Sequence, residues 1–181
     1  FVMKPVIVVT HYTPALFLEK TLLSLTKLSL IEGVVIVTQE PVHPKIPKCS
    51  FLVAGPIHSY ETLSQILGGI RTKYLLLLPG SQQISIEPEA LERFLEKAES
   101  TKAGLVYSDY YDESKQGKVL HPLCDYQPGS VRDDFDVGAM LLFSVVAVRK
   151  ALRRYGFISG MKFAGLYDLR LKISIDHPVY H

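Results

Sequence analysis

In the first part of the chain, short apolar runs alternate with longer segments in which apolar residues recur every three or four positions. The run PVIVVT (5–10) is β-branched and apolar on both faces, as is typical of a buried parallel strand. Four further runs are also predicted to be strands: GVVIVT (33–38), SFLVAG (50–55), KYLLLL (73–78) and GLVYSDYYD (104–112).

Three segments between these strands carry helical signals. In the first, Thr13 and Pro14 supply an N-cap and a first-turn proline, and Leu18, Leu22 and Leu25 follow at helical spacing. The other two are predicted to begin at Ser59 and Pro88, with these inner faces: Leu63, Ile66, Leu67 and Ile70, then Leu91, Phe94, Leu95 and Ala98. Strands and helices that alternate in this way predict an α/β fold with a mostly parallel sheet covered on both faces.

After Asp112 the regular alternation of strands and helices changes. The polar stretch ESKQGK (113–118) separates two extended runs and predicts a β-hairpin over 105–123. Segment 121–138 contains two prolines, two glycines and four aspartates around one arginine, and we interpret it as a long ordered loop. A buried strand is predicted over 139–148, with a short helix from Arg149, and the last helix places Leu166, Leu169 and Ile173 on one face.

Composition narrows the class of protein. With 181 residues, 48% apolar and 21% charged, the chain is expected to form one domain, 1–181, with a substantial core. A formal net charge of +2 provides no broad basic field, so nucleic acid is not expected as a partner. Cys49 and Cys124 form no Cys-x-x-Cys pair, which fits a reducing cytoplasm.

No apolar run approaches the ~20 residues that cross a bilayer, so we expect a soluble domain. The chain stops in IDHPVYH (175–181) without a recognisable terminal signal, and we expect it to be a C-terminally truncated fragment.

Familiar nucleotide and hydrolase motifs are missing. The sequence has neither Gly-x-x-x-x-Gly-Lys-Ser/Thr nor Gly-x-Gly-x-x-Gly, which disfavours a P-loop kinase or a dinucleotide-binding enzyme. It also has no Gly-x-Ser-x-Gly, so an α/β-hydrolase is poorly supported.

The order of the segments resembles the family 2 glycosyltransferases, whose nucleotide-sugar domain is a single GT-A-type α/β unit. The resemblance covers nearly the whole chain. VIVVTHYT (6–13) lies where the family has a strand ending in Pro-Thr-Tyr-Asn, and KYLLLLPGSQQI (73–84) lies where it has a strand ending in Asp-x-Asp-Asp. Three later segments are similar to its Tyr-x-Asp hairpin, its Gly-rich acceptor strand and its Glu-Asp-x-Asp-Leu-x-Leu helix: 105–119, 138–157 and 164–173.

Several of the family's polar positions are changed here. Its Asp-x-Asp carboxylates, which contact the metal-bound diphosphate, correspond to Pro79 and Ser81, and neither replaces a hard anionic oxygen for Mg²⁺ or Mn²⁺. A divalent cation stays open as a cofactor, but its usual ligands are absent. Three other family positions also differ. The family's uracil-contacting aspartate corresponds to Thr38 or Gln39 here, and its Arg-Asn pair corresponds to Ile66 and Leu67. Its Glu-Asp pair, which includes the catalytic base, corresponds to Gly165 and Leu166.

The resemblance still implies a nucleoside-diphosphate-sugar site at the strand ends. The implied nucleotide-sugar-binding residues are Thr10, Tyr12, Thr38, Gly80, Ser81, Asp109 and Arg132, and the implied acceptor-side residues are Gly138 and Asp168. Simpler explanations exist for some of them: Asp109 as the end of a strand, Asp168 as one half of a salt link with Arg170 or Lys172. We interpret His11 as a strand-end histidine rather than a ligand.

The long loop contains carboxylates that could replace the family's missing acidic residues. Asp133, Asp134 and Asp136 lie beside Arg132, and one of these carboxylates could act as the base if burial raised its pKa. The alternative is a solvated or ion-paired surface cluster. The positive charge for the leaving diphosphate has three candidate sources, Arg132, Arg149 and Lys73.

The leading hypothesis is a glycosyltransferase that moves a sugar from a nucleoside diphosphate to a saccharide or lipid-linked acceptor, with peripheral membrane association through residues beyond His181 left open. The first alternative is a catalytically inactive binding or regulatory module on the same fold. The second is a nucleotidyltransferase, although VTHYTPALF (9–17) lacks the Gly-rich signature that such an enzyme needs.

Overall fold

The computed structural model describes residues 5–13, 16–41, 46–80, 82–129, 132 and 135–181, with the side chains of the first helix described from Glu19 onward. The elements in chain order are β1 (Val6–His11), α1 (Leu16–Lys27), β2 (Ile31–Thr38), β3 (Cys49–Val53), α2 (Tyr60–Gly69), β4 (Tyr74–Leu78), α3 (Pro88–Thr101), β5 (Leu105–Val106), β6 (Tyr110–Ser114), β7 (Gly117–His121), β8 (Leu141–Ser144), α4 (Val145–Tyr155), α5 (Gly165–Asp176) and β9 (Val179–Tyr180).

The central sheet has the strand order β3-β2-β1-β4-β8-β5-β9. Strand β8 runs antiparallel to both of its neighbours, and the other neighbouring pairs are parallel. The predicted α/β fold with a mostly parallel sheet is therefore confirmed. All the strands of this sheet except β8 end at one edge, where β8 begins; we call this edge the carboxyl edge.

Two apolar cores cover the two faces of the sheet. The sequence of β4 is apolar throughout because its side chains alternate between the two cores. Leu75 and Leu77 belong to the core beneath α2, α4 and α5, whereas Leu76 and Leu78 belong to the core beneath α1 and α3. Each of these leucines is at most 3% exposed, and full burial of one leucine contributes roughly 1.5–3 kcal/mol relative to exposure.

The predicted helix starts in the middle of the chain are confirmed. The Ser59 hydroxyl accepts the Thr62 N–H at 3.2 Å and caps α2, and Pro88 is the first residue of α3. The first helix begins at Leu16, and the proposed first-turn proline, Pro14, lies outside the described residues.

The strand predicted over 139–148 was too long. Strand β8 ends at Ser144, whose hydroxyl accepts the Ala147 N–H at 3.4 Å and caps α4, so this helix begins at Val145 rather than at Arg149. The apolar run continues through the boundary because Val145 and Val148 are buried beside the strand. Periodicity alone does not separate a buried strand from the first turn of a buried helix.

The region after α3 also differs in detail from the prediction. Only Leu105–Val106 joins the sheet, and the hairpin is confirmed as β6 and β7, joined at Lys115 and Gln116. Strand β9 was not predicted, since two residues carry no periodic signal; it pairs in parallel with β5. Within the part of the chain that the structure describes, no helix has both the length and the apolar character needed to cross a bilayer.

Candidate functional site

A cleft of about 480 Å³ opens at the carboxyl edge, where β1 and β2 end and the segment between β3 and α2 begins. Two of the predicted nucleotide-binding residues, Tyr12 and Thr38, line it. Its other polar lining residues are His11, Gln39, Glu40 and His58. Ligands of open α/β sheets bind beyond the carboxyl ends of the strands, so this cleft is the candidate nucleotide site.

Backbone hydrogen bonds hold the walls of this cleft together. The Tyr12 N–H donates to Val37 O at 2.7 Å, and the Ala54 N–H donates to Thr38 O at 2.8 Å. Thr38 is buried, and its hydroxyl donates to Glu40 O at 2.6 Å, so this side chain shapes the turn after β2. The cleft is consequently formed by the chain itself before any ligand binds.

Two histidines, His11 and His58, face this cleft. Burial lowers the pKa of both side chains, and the proximity of His11 lowers the pKa of His58 further. The Nδ1 atom of His11 is enclosed and has no hydrogen-bond partner among the described residues. Both imidazoles therefore favour the neutral form at pH 7. Sequence reasoning missed this pair, because His58 lies 47 positions from His11 and only the sheet brings them together.

The turn after β4 is closed by a neutral side chain. A Cβ atom built on Gly80 would lie 2.1 Å from Gln82 Oε1, so the Gln82 amide lies directly over Gly80. A small cavity of about 10 Å³ lies beside this turn, and its lining includes Gly80, Gln82 and Thr10, another predicted binding residue. After the turn, the Ile84 N–H donates to Thr21 Oγ1 on α1 at 3.3 Å. Ser81 lies outside the described residues.

These residues do not fit a divalent cation at the turn. Pro79 has no ligating side-chain atom, and the described residues contain no group of three His, Cys, Asp or Glu side chains arranged for a metal ion. Mg²⁺ and Mn²⁺ require several oxygen ligands, usually with carboxylates among them.

Asp109 lies at the other end of the carboxyl edge, just beyond β5. Its Oδ1 accepts the Leu123 N–H at 2.7 Å and contacts His181 Nε2 at 2.8 Å, and these two hydrogen bonds lower its pKa. Burial tends to lower the pKa of His181, but hydrogen bonds to Asp125 and Asp109 outweigh it and the pKa is raised. Asp109 is thus a charged anchor for the loop after β7, and its role in binding a nucleotide stays a prediction.

Asp136, a predicted catalytic residue, joins the hairpin to the long loop. Its Oδ2 contacts His121 Nε2 at 3.2 Å, and its Oδ1 accepts the Gly138 N–H at 2.8 Å. The other ring nitrogen of His121 contacts Asp112 at 3.2 Å, and the Tyr110 ring stacks on the imidazole at 4.4 Å. These contacts connect the hairpin to the long loop, and a catalytic role for Asp136 stays a prediction.

The structure describes only some of the other predicted site residues in this loop. Asp133 and Asp134 lie outside the described residues, so their catalytic role stays a prediction, while Arg132 is described within the same loop. Gly138, predicted on the acceptor side, has φ +77°, and a Cβ there would lie 2.8 Å from Leu123 Cδ1. Only glycine satisfies both conditions without strain.

Two of the proposed sources of positive charge lie at the wrong edge of the sheet. Arg149 follows the carboxyl end of the antiparallel strand β8, and its Nη2 donates to Leu67 O at 2.9 Å and Ile70 O at 2.7 Å. Lys73 precedes β4 and forms an ion pair with Glu99 at 2.5 Å. The suggestion that either one neutralises a diphosphate at the carboxyl edge was wrong.

The start of α5 packs directly on the segment before α2. A Cβ atom on Gly165 would lie 2.6 Å from His58 O and 2.9 Å from Tyr60 N, and the Leu166 N–H donates to His58 O at 3.2 Å. The family's catalytic Glu-Asp pair corresponds to these two positions. The backbone contact leaves no room for a side chain at position 165, and Leu166 belongs to the core.

Asp168, one turn into α5, forms the predicted salt link. Its carboxylate lies 2.5 Å from Lys172 Nζ and accepts a hydrogen bond from the Tyr60 hydroxyl. Burial, followed by this hydrogen bond, raises the pKa of Tyr60. The contacts connect α5 to α2, and an acceptor role for Asp168 stays a prediction.

The strand order, the single antiparallel strand and the cleft at the carboxyl edge define a GT-A-like fold of the kind found in nucleotide-diphospho-sugar transferases. No protein-family model matches the sequence, and no curated protein matches it either.

Solved structures share this fold at low sequence identity. The 2-C-methyl-D-erythritol 4-phosphate cytidylyltransferase from Thermus thermophilus has a TM-score of 0.57 and 16% identity, over 98% of this chain and 87% of that one. The enzyme of the same name from Francisella tularensis has a TM-score of 0.56 and 10% identity, over 97% and 88%. Residues 1–349 of TarS from S. aureus have a TM-score of 0.62 and 13% identity, over 97% and 56%. At these identities the likeness establishes the fold alone.

Proposed function

We propose that this protein binds a nucleoside diphosphate sugar, with the nucleoside in the cleft between His11, Tyr12, Thr38 and His58. The observation that carries the proposal is the cleft itself, whose volume of about 480 Å³ lies within the range usual for small-molecule sites. The Tyr12 ring, in the wall of the cleft, offers a face on which a base can stack. Cytidylyltransferases among the structural neighbours support a nucleotide as the ligand class.

The reaction that we propose is transfer of the sugar to a saccharide or lipid-linked acceptor. A base removes the proton of the acceptor hydroxyl, the oxygen attacks the anomeric carbon, and the nucleoside diphosphate leaves from the opposite side. Asp133, Asp134 and Asp136 are the proposed candidates for this base. Cytoplasmic location and peripheral membrane association belong to the same proposal.

Calorimetric titration with UDP, GDP, CDP and their sugars, with and without Mn²⁺, tests the binding step. Tyr12→Ala should weaken binding by roughly 5- to 150-fold, since stacking on one base contributes about 1–3 kcal/mol. Tyr111→Ala is the matched control, because that ring is 64% exposed on the hairpin. The proposal fails if no nucleotide binds the unchanged protein, or if the two variants weaken binding equally.

A second candidate function, a catalytically inactive nucleotide-binding module, is favoured by the packing at Gly165. It predicts that nucleotide sugars bind but that no sugar is released or transferred over long incubation. Release of the sugar from a bound donor, abolished by Asp133→Asn or Asp134→Asn, would exclude this candidate. A parallel incubation with CTP and a sugar phosphate tests the nucleotidyltransferase alternative, with pyrophosphate release as the readout.

A further inference from the structure

Arg170, on α5, is a buried cation for which the described residues supply no matching anion. The residue is 8% exposed, and its Nε atom is enclosed with no hydrogen-bond partner in the described part of the chain. Among the residues that the structure describes, no carboxylate forms an ion pair with it. Burial lowers the pKa of Arg170, with nearby Tyr126, Tyr167 and Asp136 opposing that effect, yet a guanidinium stays charged at any physiological pH.

The surroundings of Arg170 place it at the carboxyl edge. Tyr107, which directly follows β5, contributes to its electrostatic environment, and the Tyr107 hydroxyl donates to Cys124 O at 2.5 Å. The Tyr126 hydroxyl donates to Ser174 Oγ at 2.9 Å, one turn further along α5. The loop after β7 therefore packs over the same face of α5 that carries Arg170.

The contacts within the chain do not compensate for this burial. The Tyr167 ring lies 5.4 Å from the guanidinium carbon, and such a cation–π contact recovers only part of the cost of desolvating a charge. Asp136 acts on Arg170 from a distance, since its two carboxylate oxygens are engaged by His121 and the Gly138 N–H. A buried polar group left without a partner calls for an explanation, and a bound ion is a common one.

We propose that Arg170 anchors an oxyanion subsite that binds a phosphate group at the carboxyl edge. The guanidinium presents parallel N–H donors that match two phosphate oxygens, and it needs no metal ion to do so. The phosphate belongs either to the diphosphate of the nucleotide or to a phosphorylated acceptor. The choice of phosphate over another oxyanion rests on the proposed function, whereas the presence of an anion site rests on Arg170 itself.

Arg170→Met is the primary variant because methionine has a similar length and no charge. Titrations with inorganic phosphate, against chloride at equal ionic strength, should show at least a tenfold loss of affinity in this variant. In the absence of phosphate the variant should unfold at the same temperature as the unchanged protein or a higher one, since an uncompensated buried charge has been removed. Arg153→Met, an exposed change on α4, should alter neither quantity.

The subsite is ruled out if phosphate binds Arg170→Met as well as it binds the unchanged protein, or if phosphate does not bind the unchanged protein beyond chloride. Nuclear magnetic resonance of the Arg170 Nε–H, assigned by its loss in Arg170→Lys, gives a second test that needs no Met variant to fold. The resonance should shift with phosphate and saturate at the calorimetric affinity; a resonance that does not move would overturn the proposal. Malonate binding that equals phosphate and depends on Arg170 would overturn phosphate as the ligand class.

Uridine, UDP and glucose 6-phosphate identify the source of the phosphate. If Arg170→Met reduces the affinity for UDP to that for uridine, the subsite holds the nucleotide diphosphate. If UDP binding is unchanged and glucose 6-phosphate binding is lost, it holds a phosphorylated acceptor. Uridine reports on the cleft alone, so failure of nucleotide binding and failure of the Arg170 subsite are distinguished.

Discussion

Gly165 lies so close to His58 that a Cβ atom at position 165 would be 2.6 Å from the His58 carbonyl oxygen. This contact joins the start of α5 to the wall of the cleft at the carboxyl edge. It also occupies the place where the resemblance to family 2 glycosyltransferases implied an acidic pair. The same backbone contact thus stabilises the cleft and removes the expected position of the catalytic base.

Gly165→Ala should destabilise the protein by about 1–3 kcal/mol, because a methyl group at this position forces two backbone segments apart. Urea unfolding at equilibrium measures the free energy change. Gly68→Ala is the control, since no atom lies within 4 Å of its added Cβ, and alanine should stabilise the α2 helix slightly. A Gly165→Ala variant as stable as the unchanged protein would contradict the packing described here.

Arg149→Met should reduce the free energy of unfolding by about 1 kcal/mol, since it removes two hydrogen bonds from the guanidinium to the last carbonyl groups of α2. The side chain is exposed, which keeps the effect modest. Lys150→Met, at the next position and also exposed, should have little effect. Equal losses in the two variants would mean that charge, and not these hydrogen bonds, is responsible.

The His11 and His58 pair should make stability depend on pH in the acidic range. Both have a folded-state pKa below the unfolded value of 6.5, so the unfolded chain binds more protons. Their contribution to stability should therefore fall as the pH drops below 6.5 and level off below the folded-state pKa values. In His11→Gln the pKa of His58 should rise but stay under 6.5, because burial is its larger cause. Titration of the histidine C2–H resonances measures both shifts, and a His58 midpoint at 6.5 in the unchanged protein would refute them.

His181 should act in the opposite direction. Its folded-state pKa is raised, so its stabilising contribution is complete below 6.5 and is lost as the pH rises through the folded-state pKa. Asp109, whose pKa is lowered, contributes above 3.8 and loses that contribution as the pH falls through its folded-state pKa. Thermal unfolding between pH 6 and 9 should show a decline that is flatter in His181→Gln. Tyr111→Ala, which leaves the contact between His181 and Asp109 intact, is the control and should show the same pH profile as the unchanged protein.

Much of the architecture was accessible from the order of residues, because local patterns carry local structure. The apolar run of β4, the Ser59 cap, Pro88 and the stripe of Leu166, Leu169 and Ile173 each express a constraint that operates within a few residues. The resemblance implied a site at the strand ends; a cleft lies there with Tyr12 and Thr38 in its wall, and their binding role stays a prediction.

Only the tertiary structure decided the relationships between residues that are far apart in the sequence. Whether Asp136 is free or engaged depends on His121, which is 15 positions away, and whether a side chain fits at Gly165 depends on the carbonyl of His58. Arg170 is only 8% exposed, and its position in the sequence did not indicate this burial. The sequence determined the elements by periodicity and capping; burial and pairing, which set charge and reactivity, arise only when those elements meet across the sheet.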